Sequence, residues 1–192
     1  MASKDGEKWD RRYRAVPSAS EPAYVLSEYG YLLPERGDAL DLAAGLGANT
    51  LYLAQHGLNC TAWDISQVAM QQLASRSSAD GLPVTCQVRD VIAQPPAPQS
   101  FDVIVVSRFL DRSLCPAISA ALRPNGLLFY QTFIRDKTDN NLGPSNPDFL
   151  LGTNELLQLF PDLAVRVYRE DGLTGDLTRG FRNEACLVSM KI

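Results

Sequence analysis

Histidine and cysteine are scarce in this sequence of 192 residues, which contains one histidine, His56, and four cysteines. Imidazole is a usual ligand in protein zinc sites, so a lone histidine argues against one. None of the cysteines, at positions 60, 86, 115 and 186, forms a C-x-x-C pair, and three of them fall inside predicted strands. We therefore expect no bound metal, and we expect the buried, reduced thiols of a cytoplasmic protein.

The sequence also lacks long apolar runs and an excess of lysine and arginine over acidic residues. No stretch is apolar enough for a signal segment or a membrane span, so nothing in the sequence points to a membrane or away from the cytoplasm. The net charge is −4 and the sequence pI is near 5.0, whereas nucleic-acid binding needs clustered lysine and arginine. We expect no nucleic-acid partner, although the composition leaves room for a local basic patch.

The residues that are present fit one α/β domain over residues 1–192. Of these residues, 45% are hydrophobic and 21% are charged. A chain of this length buries about 70% of the surface that it exposes when unfolded, which is enough for a self-sufficient core.

We expect the polar residues 1–8 to be disordered. A helix should begin with Ser20 as its cap and end at Pro34.

The stretch that organises the chain is residues 39–50, ALDLAAGLGANT. An apolar strand ends at Asp41, the chain turns through Gly45 and Gly47, and a helical pattern follows. Glycines at such a turn let the backbone approach a ligand closely, and the first N–H groups of the helix point toward it. Purely structural turns also use glycine, so this stretch indicates a nucleotide-like ligand only together with other signals.

Two further acids end the next predicted strands. Asp64 closes residues 59–64, and Asp90 closes residues 84–90. A carboxylate at the tip of the second strand of a βαβ unit is placed to accept hydrogen bonds from both hydroxyls of a ribose. The structural alternative for Asp64 is to cap the helix that follows, for which Ser66 is equally suited. We expect Asp41, Asp64 and Asp90 to line one edge of a parallel sheet.

These motifs resemble, in their order, those of class I S-adenosylmethionine-dependent methyltransferases. The order is D-x-A-x-G-x-G from Asp41 to Gly47, then Asp64, then Asp90, then FDVIVVS at 101–107 and LRPNGLL at 122–128. Ala43 stands where the family usually has its first glycine. The resemblance implies an α/β, Rossmann-like, doubly wound fold. Its seven-stranded sheet would be mostly parallel, with an antiparallel C-terminal hairpin and helices on both faces.

The resemblance also implies S-adenosyl-L-methionine as the cofactor. In this family Asp64 would bind the ribose, Asp90 the adenine amino group, and Asp41 the methionine ammonium, directly or through water. Gly45 and Gly47 would let the methionine portion lie against the backbone. The other positions assigned to the cofactor site are Ala43, Asn49, Ile65, Val91 and Ser107.

Residues 9–14, WDRRYR, interleave two aromatic side chains with three arginines. One interpretation is a surface segment whose aromatics fill a groove. The other is a flap over the cofactor, because the faces of Trp9 and Tyr13 attract a positive sulfonium. Similar tryptophan-tyrosine segments precede the first motif in the tellurite-resistance branch of the family, which this sequence resembles. Residues 9–33 would then form a flap and a helix.

The segment after the fourth strand bears on the methyl acceptor. Methyltransferases that act on adenine rings or glutamine side chains carry an Asn/Asp-Pro-Pro-aromatic tetrapeptide there, whereas this chain has SRFLDR at 107–112. Arg108 and Arg112 would share one helical face, and each either forms a salt bridge or holds an anionic substrate. Arg179 lies between the last two strands, where the resembling group also carries arginine.

The resemblance suggests a small-molecule acceptor. It would be a tellurium or selenium oxyanion, or else a small thiol, amine or hydroxyl compound. A polar insertion at residues 134–152 should lie over the acceptor side, between a fifth strand that begins at Leu127 and a short helix capped by Thr153. No residue is assigned as catalytic, and the sequence carries no signal of an oligomeric state.

Other functions share parts of this pattern. A nicotinamide-dependent oxidoreductase also uses a glycine turn and an acid at the second strand, but Thr50 stands where its third glycine belongs. A serine hydrolase is disfavoured, because there is no G-x-S-x-G motif and His56 sits at the end of a helix. A non-enzymatic adenosyl-binding module would carry the same motifs as the enzyme, and only turnover distinguishes the two.

Overall fold

The computed structural model describes residues 4–15 and 21–192. Seven strands form one sheet in the order β3-β2-β1-β4-β5-β7-β6. They are β1 (Asp38–Leu42), β2 (Asn59–Asp64), β3 (Val84–Val88), β4 (Phe101–Ser107), β5 (Leu122–Phe133), β6 (Leu163–Arg169) and β7 (Glu184–Lys191). The first five are parallel, and β7 pairs antiparallel with both β5 and β6. The predicted fold class is confirmed.

Helices cover both faces of this sheet. They are α1 (Lys4–Arg14), α2 (Tyr24–Tyr29), α3 (Ala48–Gln55), α4 (Gln67–Ala79), α5 (Cys115–Ala121) and α6 (Glu155–Leu159). Alternate residues of β4 face opposite ways, so Val103 and Val105 pack with α2 and α3, whereas Ile104 and Val106 pack with α5 and α6. In the part of the chain that the structure describes, no helix is long and apolar enough to cross a membrane.

Four element boundaries differ from the sequence predictions. Residues 4–8 are helical rather than disordered, because α1 docks against the body of the protein. β3 ends at Val88, two residues before Asp90. β5 already begins at Leu122, with a register shift against β4 where Asn125 turns at φ 65°. The residue that precedes α6 is Asn154, at φ 59°, and not Thr153.

The remaining prediction about the N-terminal region concerns Ser20 as a helix cap, and Ser20 lies outside the described residues. The helix that was expected before Pro34 is present. It consists of α2 followed by one 3-10 turn at Gly30–Leu32.

All four cysteines are free thiols. Burial raises the pKa of Cys60, Cys115 and Cys186 to about 12. These thiols are therefore protonated at neutral pH and act as small apolar side chains of the core.

Candidate active site

Asp41 is buried near the carboxyl end of β1, and it is 1% exposed. Its Oδ2 accepts a hydrogen bond from Thr50 Oγ1 at 2.6 Å. Its Oδ1 is buried and has no hydrogen-bond partner among residues 4–15 and 21–192. Burial, helped by the charge of Asp64, raises the pKa of Asp41 to about 6, even though hydrogen bonds from Thr50 and Asn49 act to lower it. The carboxyl group thus has one oxygen available to a positive or hydrogen-bonding group.

Asp64, at the end of β2, is also buried, at 5% exposure. Its Oδ2 accepts from the backbone amide of Gly45 at 2.8 Å, and its Oδ1 accepts from that of Ser66 at 2.8 Å. The cap of α4 is Ser66, whose hydroxyl accepts from the amide of Ala69. Asp64 therefore does not cap that helix itself, but it fixes both neighbouring segments. Each oxygen keeps a lone pair for a further donor.

The third acid, Asp90, lies in the turn after β3 and not in a strand. It is exposed, and its Oδ1 accepts hydrogen bonds from the backbone amides of Ile92 and Ala93, which closes the turn after β3. Of the three acids predicted at strand ends, Asp41 and Asp64 therefore lie in their strands, whereas Asp90 lies two residues beyond the end of β3. Next to these acids, Val91 is buried and Ile65 is half-buried.

The turn between β1 and α3 runs through three residues of left-handed backbone conformation. Ala43 has φ 58°, Gly45 has φ 55° and Gly47 has φ 80°. Ala43 therefore holds a conformation that favours glycine, at a cost of about 1–2 kcal/mol. A Cβ atom on Gly47 would lie 2.3 Å from Cδ1 of Leu73, which is why this position requires glycine. A Cβ atom on Gly45 would lie 2.8 Å from the hydroxyl of Tyr13.

Helix α1 lies over this turn. Tyr13 is half-buried against the cluster formed by α3, α4 and β2, and burial and the charge of Asp64 raise its pKa. Trp9 stacks on Tyr13 with 5.6 Å between ring centroids, and the guanidinium of Arg12 lies 5.3 Å from the centroid of Trp9. The segment thus occupies the groove above the turn, and the ring of Trp9 already has a cationic neighbour from its own helix.

Asn49 and Ser107 join the turn to the fourth strand. The amide of Asn49 donates to the hydroxyl of Ser107 at 2.9 Å, and its carbonyl oxygen accepts from the backbone amide of Ala23 at 2.8 Å. The start of α3, the end of β4 and the segment before α2 therefore meet at one side chain. This contact closes the site on the side of β4.

Of the arginines predicted to bind substrate, Arg112 is held by contacts with α6 and with residues 148–150. It makes a bidentate pair with Glu155, with Nε to Oε1 at 2.6 Å and NH2 to Oε2 at 3.0 Å. It also donates to the carbonyl oxygens of Asp148 and Leu150. The salt bridge that the sequence left as an alternative is thus the arrangement found, and Arg112 fastens the 134–152 insertion to α6.

Arg108 does not share a helical face with Arg112, because residues 108–111 are not helical and Arg108 has φ 53°. Its Nε donates to Oε1 of Glu184 at 2.9 Å, and 62% of its side chain is exposed. Glu184 is 6% exposed, and its other oxygen accepts from the amide of Gln131. The terminal nitrogens of Arg108 have no hydrogen-bond partner among the described residues.

Arg179 is exposed on the connection between β6 and β7, and its carbonyl oxygen accepts from Nε of Arg182. Arg182 donates to five backbone carbonyls of this connection, which belong to Arg179, Asp171, Gly172, Thr174 and Asp176. Arg182 therefore stabilises the loop that carries Arg179. The three predicted arginines thus differ in their contacts, since Arg108 and Arg112 pair with distant carboxylates whereas Arg179 lies on an exposed loop.

The sequence did not single out Asp10, Gln131 or Glu184 as site residues. Gln131 and Glu184 are buried polar residues in strands, and no local pattern distinguishes them from surface-facing strand residues. Asp10 had one usable signal, since its separation of three from Tyr13 places both on one side of a helix.

Comparison with known proteins places this geometry in context. Residues 39–126 match the family model described as a methyltransferase domain. The chain is therefore similar to methyltransferase domains over somewhat less than half of its length. Its resemblance to the tellurite-resistance branch is confirmed by the probable S-adenosyl-L-methionine-dependent methyltransferase TehB of Haemophilus influenzae, which is 27% identical over 137 residues. That match covers 69% of this chain and 48% of TehB, so the chain spans about half the length of the curated relatives it matches.

Solved structures of the same fold include methyltransferases and one enzyme of another kind. The crystal structure of TehB from Haemophilus influenzae has a TM-score of 0.71 at 22% identity, over 96% of this chain and 67% of that one. The [4+2]-cyclase SpnF has a TM-score of 0.75 at 14% identity, over 100% and 96%. The fold therefore does not by itself determine the reaction.

Proposed function

We propose that this protein transfers a methyl group from S-adenosyl-L-methionine to a small-molecule acceptor. The observation that carries the proposal is the pairing of two buried carboxylates with the glycine turn. Among the described residues, Asp41 keeps one buried oxygen without a hydrogen bond, and Asp64 holds the backbone of Gly45 in place. An ammonium beside Asp41 and ribose hydroxyls beside Asp64 would satisfy both groups, so the residues fit the cofactor.

The other cofactor residues follow from their places around these two acids. Asp90, Ile65 and Val91 would border the adenine, Ala43 and Gly47 would shape the turn, and Asn49 and Ser107 would close the side of β4. When bound, the cofactor supplies an activated methyl group on a sulfonium. The chain therefore needs mainly to orient both reactants and exclude water, and Trp9 and Tyr13 on α1 would do the latter. No general base is required for an acceptor that is already deprotonated.

The acceptor would approach at the ends of β4 and β5, beside Ser107 and Arg108. Arg108 supports an anionic acceptor, because its terminal nitrogens are exposed while its Nε is held by Glu184. Arg179 remains a second candidate on the neighbouring loop, whereas four of the five N–H donors of Arg112 are taken by Glu155, Asp148 and Leu150. The candidates are a tellurium or selenium oxyanion, or a small thiol, amine or hydroxyl compound. The free thiols are consistent with action in the reducing cytoplasm.

The proposal is tested by titrating S-adenosylhomocysteine into the protein by calorimetry and then screening acceptors with labelled S-adenosylmethionine, including tellurite and selenite. We expect binding and turnover with at least one acceptor. Binding without turnover across the screen would favour the adenosyl-binding module instead. Failure to bind either nucleoside would overturn the assignment of the cofactor site.

A further inference from the structure

The contacts of α1 point to a role for a residue outside the cofactor site, Asp10. Its Oδ1 accepts hydrogen bonds from the hydroxyl of Ser66 at 2.5 Å and from the backbone amide of Val68 at 3.1 Å. Both donors belong to the first turn of α4. The first backbone amides of a helix have no partner within the helix, and a negative charge at that end is favourable. Asp10 thus supplies, from another helix, part of the cap that Ser66 begins.

The second contact of α1 lies on the opposite side of Asp64. Tyr13, three residues after Asp10 and on the same side of the helix, lies against Gly45. Gly45 and Ser66 are the two residues whose amides donate to Asp64. Helix α1 therefore spans both supports of the carboxylate that is assigned to the ribose. A ligand that binds Asp64 would therefore lie next to α1.

We propose that Asp10 is a positioning residue that fastens α1 over the bound cofactor, and that this fastening opens to admit the cofactor and recloses on it. The inference rests on the proposed cofactor site. Asp10 would touch neither reactant, but it holds α1, with Trp9 and Tyr13, against the residues that support Asp64. The fastening consists of two hydrogen bonds on a half-exposed side chain, which is weak enough to open during a catalytic cycle.

The test compares the release of S-adenosylhomocysteine from the full chain and from Asp10→Ala, by stopped-flow fluorescence. We expect release to be about tenfold faster in Asp10→Ala, because a hydrogen-bonded charge is lost from the closed state only. Asp10→Asn keeps an acceptor oxygen without the charge, and it should fall between the two. Asp5→Ala is the matched control, since it removes an exposed acid from the first turn of the same helix and should release the ligand like the unaltered protein.

Trypsin gives a readout that does not depend on the ligand. Lys8, Arg11, Arg12 and Arg14 are exposed cleavage sites on α1. Cleavage there should be several-fold faster in Asp10→Ala than in Asp5→Ala, and S-adenosylhomocysteine should slow it in the unaltered protein. If melting shows that Asp10→Ala is unfolded, Asp10→Asn replaces it in both assays.

The outcomes separate this inference from the proposed function. If the unaltered protein does not bind S-adenosylhomocysteine, the proposed function fails. The rate of trypsin cleavage would still show whether Asp10 holds α1 in place. If cleavage is faster but release of S-adenosylhomocysteine stays within twofold, α1 is docked for structural reasons only and the positioning role is wrong. Unchanged cleavage and unchanged release would overturn the inference entirely.

Discussion

The backbone amide of Gly45 donates a 2.8 Å hydrogen bond to Oδ2 of Asp64 across the gap between β1 and β2. The same carboxylate accepts from the amide of Ser66 at the start of α4. One side chain therefore fixes the glycine turn and the next helix while keeping lone pairs for a ligand. Its loss would affect both binding and local structure, so any test of Asp64 must measure the two separately.

Replacing Asp64 by asparagine turns one acceptor oxygen into a donor that faces a backbone amide. We expect Asp64→Asn to bind S-adenosylhomocysteine at least about tenfold more weakly and to lose about 1–3 kcal/mol of unfolding free energy. Calorimetry measures the first and urea denaturation the second. Asp80→Asn, the same change at the far end of α4, should leave both near their original values.

The pH dependence of stability should report on Asp41. Its pKa is raised to about 6 in the folded protein, from an ordinary value of 3.8. Between about pH 4 and 6 the folded state therefore holds a proton that the unfolded state has released, so this carboxyl group lowers stability as pH rises, by about 3 kcal/mol in all. The unfolding free energies of Asp41→Asn and of the unaltered protein are measured in urea at several pH values. We expect the difference between them to shift in favour of Asp41→Asn from about pH 4 to 6, and to stay constant above about pH 6.

The same group should make ligand affinity depend on pH. An ammonium beside Asp41 binds best to the ionised carboxylate, so the affinity for S-adenosylhomocysteine should fall as pH drops below about 6. Asp41→Asn should lack this fall. Equal pH profiles for the two proteins would contradict the assignment of Asp41 to the ammonium.

Gly47 and Gly81 form a matched pair for the glycine turn. Both have positive φ, at 80° and 65°, but a Cβ atom on Gly47 meets the buried side chain of Leu73, whereas one on Gly81 meets nothing within 4 Å. We expect Gly81→Ala to cost about 1 kcal/mol for backbone strain alone, and Gly47→Ala about 2–4 kcal/mol, because overpacking is added. Chemical denaturation gives both values, and equal costs would show that Leu73 moves aside.

Arg112 and Arg108 should give opposite phenotypes. Arg112→Ala removes the bidentate pair with Glu155 and should lower the unfolding free energy by about 1–2 kcal/mol, with little change in the KM for the acceptor. Arg108→Lys keeps a positive charge for Glu184 but loses the forked donors. It should raise the KM for an anionic acceptor several-fold at unchanged affinity for S-adenosylhomocysteine. An unchanged KM in Arg108→Lys would remove Arg108 from the acceptor site.

Strands that form one uninterrupted run of residues between turn signals could be predicted from the sequence. β2 and β4 have the predicted bounds, because each is a run of mostly buried residues between clear turns. Ser66 was recognised as a possible cap of α4, because N-capping depends on residues only three apart. The acids at the strand ends followed from the same logic, since parallel strands bring their carboxyl ends to one edge.

The features that sequence reasoning missed depend on distant partners. The helical state of residues 4–8 depends on contacts of α1 with α4, such as that between Asp10 and Ser66, which lie 56 residues apart. The role of Arg112 depends on Glu155, 43 residues away, and Arg108 meets Glu184 across 76 residues. Arg182 binds carbonyls within its own loop, but backbone carbonyls leave no trace in a sequence. For such residues the sequence shows which side chain is present, but it does not show which partner that side chain contacts.

The place of β7 in the sheet imposes an order on folding. β7 is the only neighbour of β6 among the strands described, and it pairs with β5 along Leu127 to Phe133. The parallel strands can assemble from residues 38–133 alone, whereas β6 can join only after β7 has crossed back to dock on β5. Such non-local pairing carries the larger loop-closure entropy and forms late. A nascent or refolding chain would thus bring Asp41, Asp64 and Arg108 to their common edge before Glu184 arrives to pair with Arg108.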